Sequence, residues 1–182
     1  AAGDAAHRMA RLAKRESHPA GARLYGKGDP AVLQAEAMRA AHRALAIDST
    51  LAPAHAALGN LLNAQWRWQE GRAELQRAVS LDPTYAPGFQ WLGENQLLNG
   101  DLVGAERSLA QAVRLDSTLS VTKAVHAVVV ALLKRTSESD RLFAEALART
   151  PSVAALHVIR ATALLYSNRV PDAVRALEVA RV

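Results

Sequence analysis

Residues 86–119 read APGFQWLGENQLLNGDLVGAERSLAQAVRLDSTL. Phe89, Leu92 and Gly93 fall at helical spacing in the first half. Asn99-Gly100-Asp101 stops that helix and starts another. Ala105, Leu109, Ala112 and Val113 then return on one face of the second helix. The stretch is therefore two helices joined by a tight turn. Its small residues recur well outside it. Ala105 has counterparts at Ala37, Gly71, Ser139 and Ala173, each 34 residues from the next. Ala112 has counterparts at Ala44, Ala78, Ala146 and Ala180, all alanine. A strict period of this length marks a helical solenoid, in which each helix pair stacks on its neighbours. Small residues are needed where two helix backbones approach, because a larger side chain would push them apart.

Working outward, the register divides the chain into units at 52–85, 86–119, 120–153 and 154–182, the last cut short, with a partial unit at 29–51. Asp82-Pro83 closes one unit, and Asp48-Ser49 and Asp116-Ser117 close others. Thr50, Thr84 and Thr118 are expected to cap the helices that follow them. Pro53 and Pro87 fall in first turns, where the missing N–H costs little.

These residues resemble the tetratricopeptide repeat. The opening of its pattern appears as His55-x2-Leu58-Gly59-x2-Leu62 and Phe89-x2-Leu92-Gly93-x2-Gln96. The middle appears as Gly71-x3-Leu75, Ala105-x3-Leu109, Ser139-x3-Phe143 and Ala173-x3-Leu177, and the closing proline as Pro83 and Pro151. The units at 120–153 and 154–182 depart from it, with His126-Ala127 and Arg160-Ala161 in place of leucine and glycine. The resemblance implies an all-α, right-handed α–α superhelix of about five antiparallel helix pairs. A narrower resemblance rests on Trp66-x-Trp68 and Leu81-Asp82-Pro83-Thr84-Tyr85-Ala86. It is to the repeat arrays of bacterial signalling proteins: serine/threonine kinases, winged-helix regulators and nucleotide cyclases.

Composition narrows the chemistry. Half of the 182 residues are apolar and only 4% are aromatic, which suits close-packed helices. There is no cysteine, so disulfides and thiolate metal sites are excluded, and both cytoplasm and periplasm remain open. No apolar run is long enough to cross a bilayer; the greasiest spans Val125 to Leu133. The chain starts without methionine and stops inside an expected helix, which reads as a piece of something longer. The net charge of +5 is concentrated at the front. Arg8, Arg11, Lys14, Arg15, Arg23 and Lys27 stand against Asp4 and Glu16 in residues 1–28. Residues 4–17 are expected to supply the first helix of the partial unit, followed by a glycine- and proline-rich loop. A free basic arm is the alternative, and with it nucleic-acid association through phosphate contacts.

Catalysis finds no candidate. Gly21-Ala-Arg-Leu-Tyr-Gly26-Lys27-Gly28 nearly spells a phosphate loop, but Gly28 lacks the hydroxyl that holds Mg²⁺ and no strand precedes it. His55, His126 and His157 sit on first helices without the spacing of a metal site, and read as core or surface histidines. No nucleophile–base arrangement is visible. No cofactor is expected, and an enzymatic role would need a domain outside this chain.

The resemblance places a partner groove on the first helix of each unit. Carried over, it comprises Asn60 and Asn63, then Gln90, Glu94 and Leu97, then Val121, Ala124, Val128 and Leu132, then Val158, Thr162 and Tyr166. The groove passes from polar to apolar and suits a hydrophobic or amphipathic peptide. The family's carboxylate-clamping pattern is absent, since Ala56 stands where a lysine belongs. Self-association through the apolar residues is the competing expectation. Trp66, in a turn position usual for glycine or asparagine, is an exposed contact candidate. The expected role is a non-catalytic interaction module, part of a bacterial regulator or a multi-subunit complex.

Overall fold

The computed structural model describes residues 29–150 and 153–180. The expected helix at 4–17, the loop and phosphate-loop lookalike up to Gly28, and Pro151 lie outside these residues. Every regular element among the described residues is an α-helix. In order they are α1 (Pro30–Ile47), α2 (Ala52–Ala64), α3 (Trp68–Leu81), α4 (Ala86–Leu98), α5 (Leu102–Leu115), α6 (Ser120–Leu132), α7 (Thr136–Arg149), α8 (Ala154–Tyr166) and α9 (Val170–Val179). The chain forms two compact units, the first ending at Asn95 and the second beginning at Gln96, so the boundary falls within α4.

In the first unit α1 packs on α2 and α2 on α3. Ala40 and Ala41 meet Ala57, Leu58 and Leu62, while Ala56, Leu75 and Ala78 meet Trp91 and Leu92. Gly59 of α2 and Gly71 of α3 mark a close backbone approach. A Cβ on Gly59 would stand 2.8 Å from the Gly71 carbonyl oxygen. One on Gly71 would stand 2.9 Å from the Gly59 carbonyl oxygen and closer still to Asn63 Oδ1. This is the physical content of the small-residue period: the position admits only a glycine, alanine or serine, according to how near the facing helix lies.

In the second unit α5 packs on α6, α6 on α7 and α8, and α8 on α9. Its main core joins Ala124, Ala127, Val128 and Val130 of α6 to Leu142 and Phe143 of α7 and Leu156 and Ala163 of α8. Each such large apolar side chain removed from water contributes about 1.5–3 kcal/mol. Ala37, Gly71, Ala105, Ser139 and Ala173 are all buried, as are Ala44, Ala78, Ala112 and Ala146. Ser139 keeps its hydroxyl satisfied by donating to the Ala127 carbonyl at 2.8 Å. Ala180, near the end of the described chain, is half-buried.

The turns within helix pairs repeat the same period. Trp66, Gly100, Lys134 and Asn168 have φ of 62°, 78°, 65° and 57°. In each case the next residue's N–H returns to a carbonyl five residues back: Arg67 to Leu62 at 3.0 Å, Asp101 to Gln96 at 2.9 Å, Arg135 to Val130 at 3.1 Å and Arg169 to Leu164 at 2.8 Å. This left-handed stop satisfies the last carbonyls of the first helix. Glycine adopts it freely and asparagine readily, whereas tryptophan and lysine are strained there.

The turns between pairs correct one expectation. Thr50 and Thr118 do not cap the following helices. The N-cap residues are Leu51 and Leu119, neither with a side-chain cap. Instead Asp48, Asp82 and Asp116 each accept from the N–H of the threonine two residues on at 2.9 Å. Each also accepts from its hydroxyl at 2.6 or 2.7 Å. A short polar side chain bonding two residues onward makes a turn in its own right, and here that local bond wins over capping.

Candidate interaction surfaces

In the first unit the expected groove residues separate into two kinds. Asn63 is buried, and its Oδ1 accepts from Asn95 Nδ2 at 2.7 Å; the same Asn95 amide donates to the Trp68 carbonyl at 3.0 Å. Asn63 therefore ties α2 to α4 and the start of α3, and is not offered to a ligand. Asn60, Gln90 and Glu94 are half-buried. Gln90 Nε2 donates to Glu94 Oε1 at 3.1 Å, and burial pushes the Glu94 carboxyl above the ordinary range, offset in part by that bond. Trp66 is 78% exposed, and its ring meets that of Trp68 edge-to-face at 5.4 Å between centroids. A large aromatic held in a left-handed turn and left in water is a contact candidate on two counts.

In the second unit the expectation needs more correction. Ala124 is 0% exposed and Val128 8%, both inside the core, because α8 lies over that part of α6. Leu97 and Leu132 are half-buried against core side chains. Val121 is exposed. On α8, Val158, Thr162 and Tyr166 are exposed, with the Thr162 hydroxyl donating to the Val158 carbonyl at 3.1 Å. Leu165 is exposed beside them, as are Val170, Val174 and Leu177 of α9.

The repeat register explains this contrast. Val158 is the counterpart of Ala124 and Ala56, which are fully buried, yet it is 47% exposed. Leu177 is the counterpart of Leu75, Leu109 and Phe143, all buried, yet it is 41% exposed. Leu75 is covered by Trp91 and Leu92 of α4, Leu109 by Val129 of α6, and Phe143 by Leu156 of α8. Val158, Leu165 and Leu177 thus occupy positions that, one repeat earlier, lie under the first helix of the following unit.

Two arginines that the sequence reading passed over bind successive second helices together. Arg135, at the start of α7, pairs with Glu138 at 2.6 Å and with Glu106 of α5. Arg169, at the start of α9, pairs with Asp172 at 2.8 Å and with Asp140 of α7 at 2.6 Å. Donating to Asp140 and then to Asp172 holds the Arg169 guanidinium further into its charged range, and accepting from Arg169 holds Asp172 below the usual carboxylate range. The signal was present in the repeat register: an arginine at 67, 135 and 169, with Asp101 interrupting the series, and each arginine with an acid three residues on.

His55 and His126 lie in the packing between helices. His55 Nδ1 lies 2.6 Å from Glu74 Oε2 and Nε2 lies 3.0 Å from the Ser49 carbonyl. His126 is buried, and neither ring nitrogen finds a partner. Burial lowers its pKa from 6.5; Glu106 and Glu138 pull upward, while Arg135 and Arg114 add to the lowering. Since the unfolded chain then binds more protons, stability should fall as pH drops below about 6.5. His126→Leu, restoring the residue type of Leu58 and Leu92, should remove that acid-side slope and stabilise by about 1 kcal/mol. Melting curves of both proteins across pH 5–8 check it. Among the described residues no three His, Asp or Glu side chains gather as a metal site, and no helix is long and apolar enough to cross a membrane.

A repeating helix pair with a left-handed stop inside it and small residues at each crossing is the fold of the tetratricopeptide-repeat proteins. Solved structures with this fold include a thermophilic TPR protein, TTC0263 of Thermus thermophilus, at 19% identity and TM-score 0.71, covering 97% of this chain and 92% of that one. A MamA structure matches at 16% identity and TM-score 0.67 over 98% and 91%. YrrB, described as a TPR protein with an unusual peptide-binding site, matches at 20% identity and TM-score 0.63 over 81% and 76%. No family model matches the sequence, and no curated protein matches it by sequence.

Proposed function

We propose that this protein is a non-catalytic interaction module that holds a protein partner, and that in its second unit the contact is the apolar face of α8 and α9. The observation that carries the reading is the exposure of Val158, Leu165 and Leu177 at positions that are covered or part of the core in preceding repeats. The occupant is one amphipathic helix of a partner protein, laid on α8 and α9 as α8 lies on α6. That choice follows from continuity with the interior repeat-to-repeat contact, which already shows what chemistry this surface accepts: alanine, valine and leucine on a helix. YrrB's peptide-binding site is in keeping with a protein ligand. In the first unit, Asn60, Gln90, Glu94 and exposed Trp66 supply polar and aromatic contacts. The setting in a bacterial regulator or multi-subunit complex rests on the resemblance of the Trp66-x-Trp68 turn to signalling-protein repeats.

The test uses a helix-stapled peptide copying residues 154–166. It should bind the wild-type protein, and Val158→Glu with Leu177→Lys should weaken it by about tenfold or more while leaving the melting midpoint near wild type. Binding unchanged by the pair would move the contact elsewhere. A concentration-dependent dimer dispersed by the same pair would replace the foreign helix with a second copy of this chain.

A further inference from the structure

Two clefts lie at equivalent repeat positions, one on α2 and α3 and one on α8 and α9, and they differ in charge. In the first unit a cleft of about 260 Å³ is bordered by α2 and α3, with Leu58, Leu62, Arg67, Glu70, Ala73 and Glu74 in its wall, and by His42 of α1. Its single arginine is paired with Glu70, so the cleft is acidic on balance. The corresponding cleft on α8 and α9, of about 240 Å³, has Arg160, Arg169, Asp172, Arg175, Ala176 and Val179 in its wall beside His157. Three exchanges account for the difference: Arg160 stands for Leu58, Arg175 for Ala73 and Ala176 for Glu74. The neighbouring position is altered too. Val179 stands for Arg77 of the first unit and for Glu145 of the unit at 120–153, which there pairs with Lys123 at 3.1 Å.

The acids that remain are already engaged. Asp172 accepts from both Arg169 and Arg175, and Asp140 accepts from Arg169. Three guanidiniums thus face two carboxylates, and Arg160 Nε is buried with no hydrogen-bond partner. A buried guanidinium N–H without an acceptor is costly, and an anion bound to the Arg160 guanidinium would offset the charge that the two engaged carboxylates leave over.

We infer that the α8–α9 cleft is a binding site for the carboxylates of an acidic protein segment, with Arg160 and Arg175 as its ligating side chains. The guanidinium is a strong donor to carboxylate oxygens, and Asp172, with one oxygen on Arg169 and the other on Arg175, shows an acid bridging two of these arginines. The site is independent of the apolar face proposed above. Asp172, Arg175 and Val179 lie about half a turn around α9 from Val170, Val174 and Leu177. It is also distinct from the carboxylate clamp rejected in the groove, since it uses none of those positions.

The experiment titrates isotope-labelled protein with a short capped peptide of alternating Asp and Glu, and separately with inorganic phosphate. The Nε–Hε resonances of Arg160 and Arg175 should shift with the peptide, more weakly as salt is added. Arg160→Leu with Arg175→Ala should weaken binding by about tenfold or more. Both replacements are the residues of the first-unit cleft, so the fold accommodates them. The reverse exchange, Leu58→Arg, Ala73→Arg and Glu74→Ala in the otherwise wild-type protein, should create a second site. Peptide binding indifferent to the Arg160 and Arg175 replacements, or phosphate bound more tightly than the peptide, would overturn the assignment. Loss of the apolar-face peptide in the preceding experiment would leave this result unchanged.

Discussion

Val128→Glu is expected to destabilise the protein by about 3–5 kcal/mol, lowering the melting midpoint by roughly 10 °C. Val128 sits in a cluster with Ala124, Val130, Phe143 and Leu156. A carboxylate placed there loses its hydration and finds an aliphatic and aromatic surround, so it must either ionise in an apolar site or take up a proton. The matched control is Val158→Glu, the same chemistry at 47% exposure. It should change the midpoint by no more than a degree or two. Circular dichroism melts of the two variants decide between a core and a groove assignment. An unperturbed Val128→Glu would return that residue to the surface and restore the groove expected from the family pattern.

Gly71→Leu carries the second large effect, about 3 kcal/mol, the upper part of the range for forcing bulk into a packed crossing. A Cβ alone at that position would meet Asn63 Oδ1 and stand 2.9 Å from the Gly59 carbonyl oxygen. The second of these is backbone and cannot swing away. The first belongs to the side chain that accepts from Asn95, so displacing it also breaks a buried hydrogen bond. Gly71→Ala should fall between wild type and Gly71→Leu. Urea titration of the three proteins gives the order, and equal midpoints would show that α2 and α3 are not held at the distance the small-residue period requires.

Much of this architecture was legible before any coordinate. The period at Ala37, Gly71, Ala105, Ser139 and Ala173 worked because backbone approach excludes volume, and excluded volume restricts residue type at a single position. Turn chemistry was partly legible. Gly100 announced a left-handed residue by its type, whereas Trp66 adopts the same φ at a register position usual for glycine or asparagine, and Lys134 gives no sign of it. Thr50 and Thr118 looked like caps because their residue type suits capping; the aspartates two residues before them claimed the hydroxyls first.

The surfaces were less legible. Ala124 and Val158 share one repeat position, and Asn63 and Leu165 share another, yet within each pair one is buried and the other exposed. The paired arginines were hidden for a related reason: Arg169 finds Asp140 29 residues earlier, a separation no local pattern reports.

By itself, then, the sequence determined the helices, their pairing and the places where backbones touch, since each depends on residues at fixed intervals along one chain. Which apolar and charged groups face water was decided only by tertiary structure. Exposure at a repeat position depends on whether another helix lies over it, and Val158 and Leu177 are in water because none does among the described residues.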